Sequence, residues 1–371
     1  MTSPLAPPAS ISTEQSGLHI EVRGACVVVS LDRPARLNAV NSAMKEALAS
    51  RIPIIARNPQ VYAVVLRAAG GRLFCAGGDV RELYDLARAD PARALAECAR
   101  EYSLIWLLDC FSKPTAALID GAVMGTGAGI VQCATHRAAG PGYRFQMPET
   151  AIGYFPDNGV CWTLARMPGE IGTYLGLLGA SLDRYQAFRL GLVTHCVDAS
   201  QFNAIADALA EAEPVDALLE GLHAEPRPSP PTFPEDVVAR CFSASTVAGI
   251  VRRLEAEKED RSWCEATLAD LRGRSPLALE VTLQHVRRCR HLDLRQALTI
   301  DYRLAARLVA GNDFLEGVRT RLIDKSNSPH WRPASIDDLG PDAVERLFEP
   351  LPGTGAELVL PTRQEMQAAR V

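Results

Sequence analysis

A short apolar strand that runs into a glycine-rich turn and then a helix occurs twice in this chain, and no other feature constrains the fold as strongly. The first instance is residues 62–67 (YAVVLR), the turn 69–79 and a helix starting near Val80. The second is residues 115–119 (TAALI), the turn 123–129 and the helix it feeds. Short β-branched runs of this kind read as buried strands, and strands alternating with helices indicate an α/β core. Two more strands are expected at 20–22 and 25–31, separated by Arg23-Gly24, and Asn41-Ser42 caps a helix reaching about Ala56. A longer helix covers 91–109.

Beyond Glu170 strand signals fade, except near 194–197. Residues 224–235 (AEPRPSPPTFPE) hold five prolines and read as a linker or long loop. The remainder is helical, at 246–256, 263–272, 276–289 and 294–310. In the last of these Leu294, Ala297, Leu298, Tyr302, Ala305 and Leu308 recur at helical spacing. That face is buried, either on the core or in a subunit interface. The organisation is therefore a disordered N-terminus (1–17), an α/β core (18–223), the proline-rich loop, a helical region (236–350) and a frayed Gly/Pro-punctuated tail (351–371).

At 371 residues, 47% hydrophobic and 22% charged, the chain can bury a sizeable core. A net charge of -5 argues against a nucleic-acid surface. The ten cysteines form no C-x-x-C pair and fall among apolar neighbours, which suits small buried thiols in a reducing compartment. The histidines show no H-E-x-x-H pair, so no metal is expected. The first 17 residues lack Lys and Arg and any apolar run, and no stretch of 18 apolar residues exists. These features predict a cytoplasmic protein without a membrane partner.

Three segments could carry chemistry. Phe74-Cys75-Ala76-Gly77-Gly78-Asp79 and Met124-Gly125-Thr126-Gly127-Ala128-Gly129 are turns between strand and helix. Such turns let the backbone approach a ligand, and two N–H donors from separate loops can form an oxyanion hole. A purely structural turn is the alternative for each loop alone. Dinucleotide binding is disfavoured, because Ile130 stands where G-x-G-x-x-G needs its third glycine. The third segment, 145–159 (FQMPETAIGYFPDNG), places Glu149 and Asp157 eight residues apart among apolar residues. Carboxylates in such surroundings are costly unless paired or functional, although a helix start and a turn would also use them. A Ser-His-Asp hydrolase is unsupported, since no G-x-S-x-G elbow exists.

Together, F-C-A-G-G-D, D-G-A-V-M-G-x-G and M-P-E-T-x-I-G-x-F-P-D-x-G resemble the 3-hydroxyisobutyryl-CoA hydrolases, a branch of the crotonase (enoyl-CoA hydratase/isomerase) superfamily. Residues 313–319 (DFLEGVR), 322–325 (LIDK) and 331–333 (WRP) match that branch too, and the likeness spans about 18–350. It implies a spiral of ββα units followed by a helical C-terminal region. It also implies thioester hydrolysis of an acyl-CoA, 3-hydroxyisobutyryl-CoA of valine catabolism, with coenzyme A entering as part of the substrate and no separate cofactor. Carried onto this chain, the oxyanion hole is the N–H of Gly78 with that of Thr126, where the family has glycine. Glu149 becomes the catalytic glutamate, Asp157 the partner that meets the 3-hydroxyl or relays a proton, and Glu101 a substrate-pocket acid. Lys325 becomes a candidate contact for the coenzyme phosphates. Hydratases of the superfamily use a second glutamate, whose position falls on Gly129 here, and carry glycine where Asp157 stands. Hydration or isomerisation of an enoyl-CoA is the alternative activity, and non-catalytic acyl-CoA binding a third. A homotrimer follows by analogy with the superfamily.

Overall fold

The computed structural model describes residues 11–13, 17–70, 73–326, 328–353 and 355–371. The disorder expected for 1–17 falls mostly on residues outside that set. Within the described part, Ile11–Thr13 (β1) pairs antiparallel with Leu18–Arg23 (β2).

The strands that follow are divided between two sheets. The first sheet runs β1-β2-β3-β4-β6-β8-β11, with β3 at Cys26–Leu31, β4 at Ala63–Ala68, β6 at Thr115–Ile119, β8 at His136–Ala139 and β11 at His195–Cys196. From β3 onward its pairings are parallel. The second runs β10-β9-β7-β5, with β5 at Leu73–Cys75, β7 at Ala122–Met124, β9 at Arg144–Gln146 and β10 at Leu182–Asp183. Thus β4 and β5, β6 and β7, and β8 and β9 each send one strand to either sheet before the chain turns helical. This is the spiral of ββα units expected from the resemblance. All six residues of β3 (CVVVSL) are buried, because both of its faces are covered.

Four helices of the core position the site. Ser42–Arg57 (α1) is capped by the Asn41 side chain, which accepts from the Met44 N–H. Val80–Ala89 (α2) and Pro91–Asp109 (α3) are capped by Asp79 and Asp90, and Gly125–Gln132 (α4) starts directly at the end of β7. The helices Pro276–Cys289 and Leu294–Leu308 pack into the same apolar cluster as β3 and β4. The helical region is therefore not a separate body. On Leu294–Leu308 the buried residues are Ala297, Leu298, Asp301, Leu304, Ala305 and Leu308, and this helix packs on α3.

Residues 224–234 carry no regular structure, yet Phe233 is buried against the Tyr174 ring at 4.8 Å. The tail differs from the expectation. Its glycines and prolines do prevent strands and long helices, but Leu360, Met366 and Val371 are buried, and Arg363–Ala368 forms a capped helix. The Trp106 indole N–H of α3 donates to the Pro361 carbonyl at 2.8 Å, docking the segment. All ten cysteines are free, and nine of them are buried.

Candidate active site

The two glycine-rich turns lie side by side. Gly77 (φ 101°) and Gly125 (φ 46°) both occupy the left-handed region that favours glycine, and a methyl group added to Gly77 would sit 3.5 Å from the Gly125 Cα. Gly78 forms a parallel bridge to Val40 through its neighbours: the Val40 N–H donates to the Gly77 carbonyl and the Asp79 N–H to the Val40 carbonyl. In that geometry the Gly78 N–H points away from Val40. Thr126 sits in the first turn of α4, where backbone N–H groups have no intrahelical acceptor. Among the described residues neither N–H has a hydrogen-bond partner. Both residues line a cavity of about 530 Å³, together with Glu149, Asp157, Glu101 and Tyr102.

Glu149 opens a single 3-10 turn (Glu149–Ile152) that follows β9 and closes on Gly153. The turn is pinned behind the carboxylate. The Thr150 hydroxyl donates to the Leu177 carbonyl at 2.8 Å, and the Arg274 guanidinium donates to that hydroxyl at 2.7 Å. Glu149 itself is 9% exposed, and its Oε2 has no hydrogen-bond partner among the described residues. Burial pushes its carboxyl up to about 8, against the lowering pull of its own backbone N–H and then of the Arg274 charge. A methyl group on Gly125 would lie 3.2 Å from Glu149 Oε1, so the carboxylate faces the second loop directly.

Asp157 accepts from the Tyr102 hydroxyl at 2.8 Å and from Asn158 Nδ2 at 2.7 Å. Burial and the negative charges of Glu101, Asp301 and Glu149 raise its carboxyl well above the ordinary range. Glu101 behaves oppositely. Burial would raise it too, but the Lys45 ammonium at 2.9 Å and donors from Thr126 and Asn158 hold it below the ordinary value. The cavity therefore contains carboxyl groups whose surroundings drive their protonation apart, an arrangement typical of acid–base sites.

The enoyl-CoA hydratase/isomerase family profile matches residues 26–348. The chain belongs to that family. It is 33% identical to the 3-hydroxyisobutyryl-CoA hydrolase 1 of Arabidopsis thaliana, covering 95% of this chain and 97% of the relative. A relative from Rattus norvegicus, 3-hydroxyisobutyryl-CoA hydrolase, mitochondrial, is also 33% identical, over 91% of this chain and 90% of its own length. Among solved structures, a carnitinyl-CoA dehydratase from Mycobacterium thermoresistibile superposes with a TM-score of 0.86 at 32% identity, covering 92% of this chain and 98% of that one.

Within this family member the structure gathers Gly78, Thr126, Glu149, Asp157 and Glu101 around one cavity. Lys325 is not on its wall: it is exposed, with φ 55°, after a short π-helical turn, whereas Arg321 on that turn does line the cavity. Several contributors escaped the sequence reading. Lys45 and Tyr102 come from helices, and Arg274 from the loop between two helices, all remote in sequence, although a lone Lys45 in the apolar half of an amphipathic helix is a visible signal. Asp301 and His285 also escaped it. The Gly159 N–H donates to Asp301 Oδ2 at 2.8 Å, and His285 Nε2 lies 2.6 Å from Asp301 Oδ1, with both side chains fully buried. Asp301 thereby holds the far end of the Asp157-Asn158-Gly159 segment.

Proposed function

We propose that this enzyme hydrolyses the thioester of 3-hydroxyisobutyryl-CoA to 3-hydroxyisobutyrate and coenzyme A, as a step of valine catabolism. The observation that carries the reading is the pair of partnerless N–H groups, Gly78 and Thr126, on the same cavity as the unpaired, buried Glu149 carboxyl. Two N–H donors on neighbouring loops suit the oxyanion that forms when a thioester carbonyl is attacked. Glu149, once ionised, serves in either of two routes. As nucleophile it forms an acyl–oxygen bond while the carbon–sulfur bond breaks, and water then cleaves the anhydride. As base it takes a proton from water, which attacks the carbonyl. In both, the coenzyme leaves as a thiolate that gains a proton. Asp157, whose carboxyl is pushed well above the ordinary range by burial and by the neighbouring carboxylates, is placed to donate to the substrate's 3-hydroxyl or to the departing sulfur. No cofactor is required. A homotrimer acting in the cytoplasm completes the reading, to be checked by light scattering and cell fractionation.

Gly129 disfavours the hydratase alternative. A methyl group there would lie 2.7 Å from the Asn158 Cβ and 2.8 Å from its carbonyl oxygen, so the helix has no room for a second glutamate. The deciding experiment offers 3-hydroxyisobutyryl-CoA and crotonyl-CoA in parallel. Release of free thiol from the first is expected. Loss of the enone absorbance of the second without thiol release would replace hydrolysis with hydration.

A further inference from the structure

Glu101 is almost saturated. Its Oε1 accepts from the Thr126 hydroxyl at 2.7 Å and from Asn158 Nδ2 at 2.8 Å, and its Oε2 accepts from Lys45 Nζ at 2.9 Å. Three of the roughly four acceptor positions of a carboxylate are thus taken by protein. Lys45 in turn pairs with Glu97 at 2.5 Å, and Glu97 with Arg100 at 2.5 Å, so two acids and two bases balance in a compact chain. The side chains of Lys45, Glu97 and Glu101 are only 7%, 4% and 13% exposed. A buried cation between two carboxylates fixes their geometry more tightly than an exposed pair would. Such a group is poorly suited to binding substrate, since at most about one acceptor position is left for it.

The Thr126 hydroxyl also lies close to Gly78. A methyl group on Gly78 would lie only 2.9 Å from Thr126 Oγ1, so the hydroxyl oxygen fills the space above Gly78. One side chain therefore bridges the two turns that carry the partnerless N–H groups. Because an ionised carboxylate can only accept, the hydroxyl proton is committed to Glu101, and Thr126 is held in one rotamer.

We propose that Lys45, Glu101 and Thr126 are positioning residues for the oxyanion hole: Lys45 anchors the Glu101 carboxylate, which holds the Thr126 hydroxyl against Gly78 and so sets the spacing of the two N–H donors. The threonine is then a strut rather than an obstruction. Through Asn158 the same carboxylate ties this strut to the segment carrying Asp157, so both halves of the site share one anchor. This inference rests on the oxyanion hole of the proposed hydrolase, and its test separates the two.

Thr126→Val keeps the shape and the backbone N–H but removes the hydroxyl. Its kcat is expected to fall by about a hundredfold, the scale of a small misplacement of catalytic groups, with little change in KM. Thr126→Ser should restore most of that loss, and Lys45→Met should reproduce part of it. Thr126→Ala, lacking the hydroxyl with less bulk, is measured alongside so that a folding defect in one variant does not decide the outcome. The readout that a merely structural role would not move is the carbonyl stretch of isobutyryl-CoA bound to the Glu149→Gln protein, by infrared difference spectroscopy. It should shift to lower frequency with threonine in place or with the Thr126→Ser substitution, and lose much of that shift with Thr126→Val. Unchanged kcat and an unchanged stretch in Thr126→Val would overturn the strut, as would the absence of any shift with threonine present. A shifted stretch without thiol release from the wild-type enzyme would refute hydrolysis and leave the strut standing.

Discussion

Replacing Glu149 by glutamine should abolish thiol release and, at the same time, make the protein more stable in a way that depends on pH. The carboxyl lies in a cavity wall with one oxygen unpartnered, and burial moves its titration from an ordinary 4.5 to about 8. A gap of about 3.5 corresponds to an ionisation cost on the order of 5 kcal/mol, as an upper figure. The sign follows from proton binding. Between those two pH values the folded state holds the proton while the unfolded state has lost it, so stability falls as pH rises through the window. Above about 8 the deficit is constant, and below 4.5 it is absent. Glutamine stays neutral throughout and carries no such deficit. The difference in Tm between Glu149→Gln and wild type should therefore be near zero at about pH 5, grow through neutrality and level off above about pH 8. For a chain of this size each kcal/mol corresponds to roughly 2 °C, so a gain of several degrees is expected at about pH 9. The assay is calorimetry of both proteins from about pH 5 to about pH 9, beside thiol release measured on the same samples. Asp157 titrates in the same cavity and is raised partly by the Glu149 charge, but it is common to both proteins, so the comparison isolates residue 149 and its coupling. A Tm difference that does not change with pH would refute the desolvated carboxyl. Full turnover by the variant would remove Glu149 from the mechanism.

Three further outcomes are expected. Because Glu149 must be ionised to attack or to take a proton, kcat/KM should rise about tenfold per pH unit and level off near pH 8, where its carboxyl titrates; a profile flat from about pH 6 to about pH 9 would contradict this. Gly129→Ala should destabilise the protein by about 1–3 kcal/mol in denaturant unfolding, since its methyl meets the Asn158 Cβ and carbonyl oxygen rather than the far end of a yielding side chain, and Gly129→Glu should yield no hydratase. Asp301→Ala strips the Gly159 N–H and the buried His285 of their common partner; a loss of about 3–5 kcal/mol is expected, and a change below about 1 kcal/mol would mean that the pair is not anchoring the Asp157 segment.

Much of the core was legible because its signals are local. Asn41 caps α1 through its own side chain, and α3 begins at Pro91 and ends at Asp109 as its composition suggests. The two glycine-rich turns announce themselves through backbone conformations that other residues avoid. The short strands β5, β7 and β9 were not legible, since three residues are too few to show a period, and their pairing into a second sheet is set by tertiary contact. The docked tail differs from its expectation for a related reason: glycine and proline reveal irregular backbone, not whether Leu360 or Met366 finds an apolar neighbour. In the site, motif residues could be matched by position, but Lys45, Tyr102 and Asp301 become relevant only when remote helices meet.

Those remote residues decide what each carboxyl of the site can do. Glu149 is buried and Glu101 and Asp157 half-buried in the wall of one cavity, and desolvation pushes all three towards their neutral forms. Lys45 breaks the equivalence by holding Glu101 in its ionised form, which then takes hydrogen bonds from Thr126 and Asn158 and contributes a fixed negative charge. That charge is the largest neighbouring influence on Asp157 after burial and helps to keep its proton in place. Glu149 stands apart from both: burial pushes its carboxyl up to about 8, opposed by its own backbone N–H and by the Arg274 charge. The proposed hydrolysis, which needs one ionised nucleophile or base and one retained proton, would thus obtain both from identical functional groups. Substituting Lys45 should consequently disturb more than the Thr126 strut. With Glu101 free to take up a proton, Asp157 loses part of what holds its own, and the acid and base assignments of the cavity begin to merge.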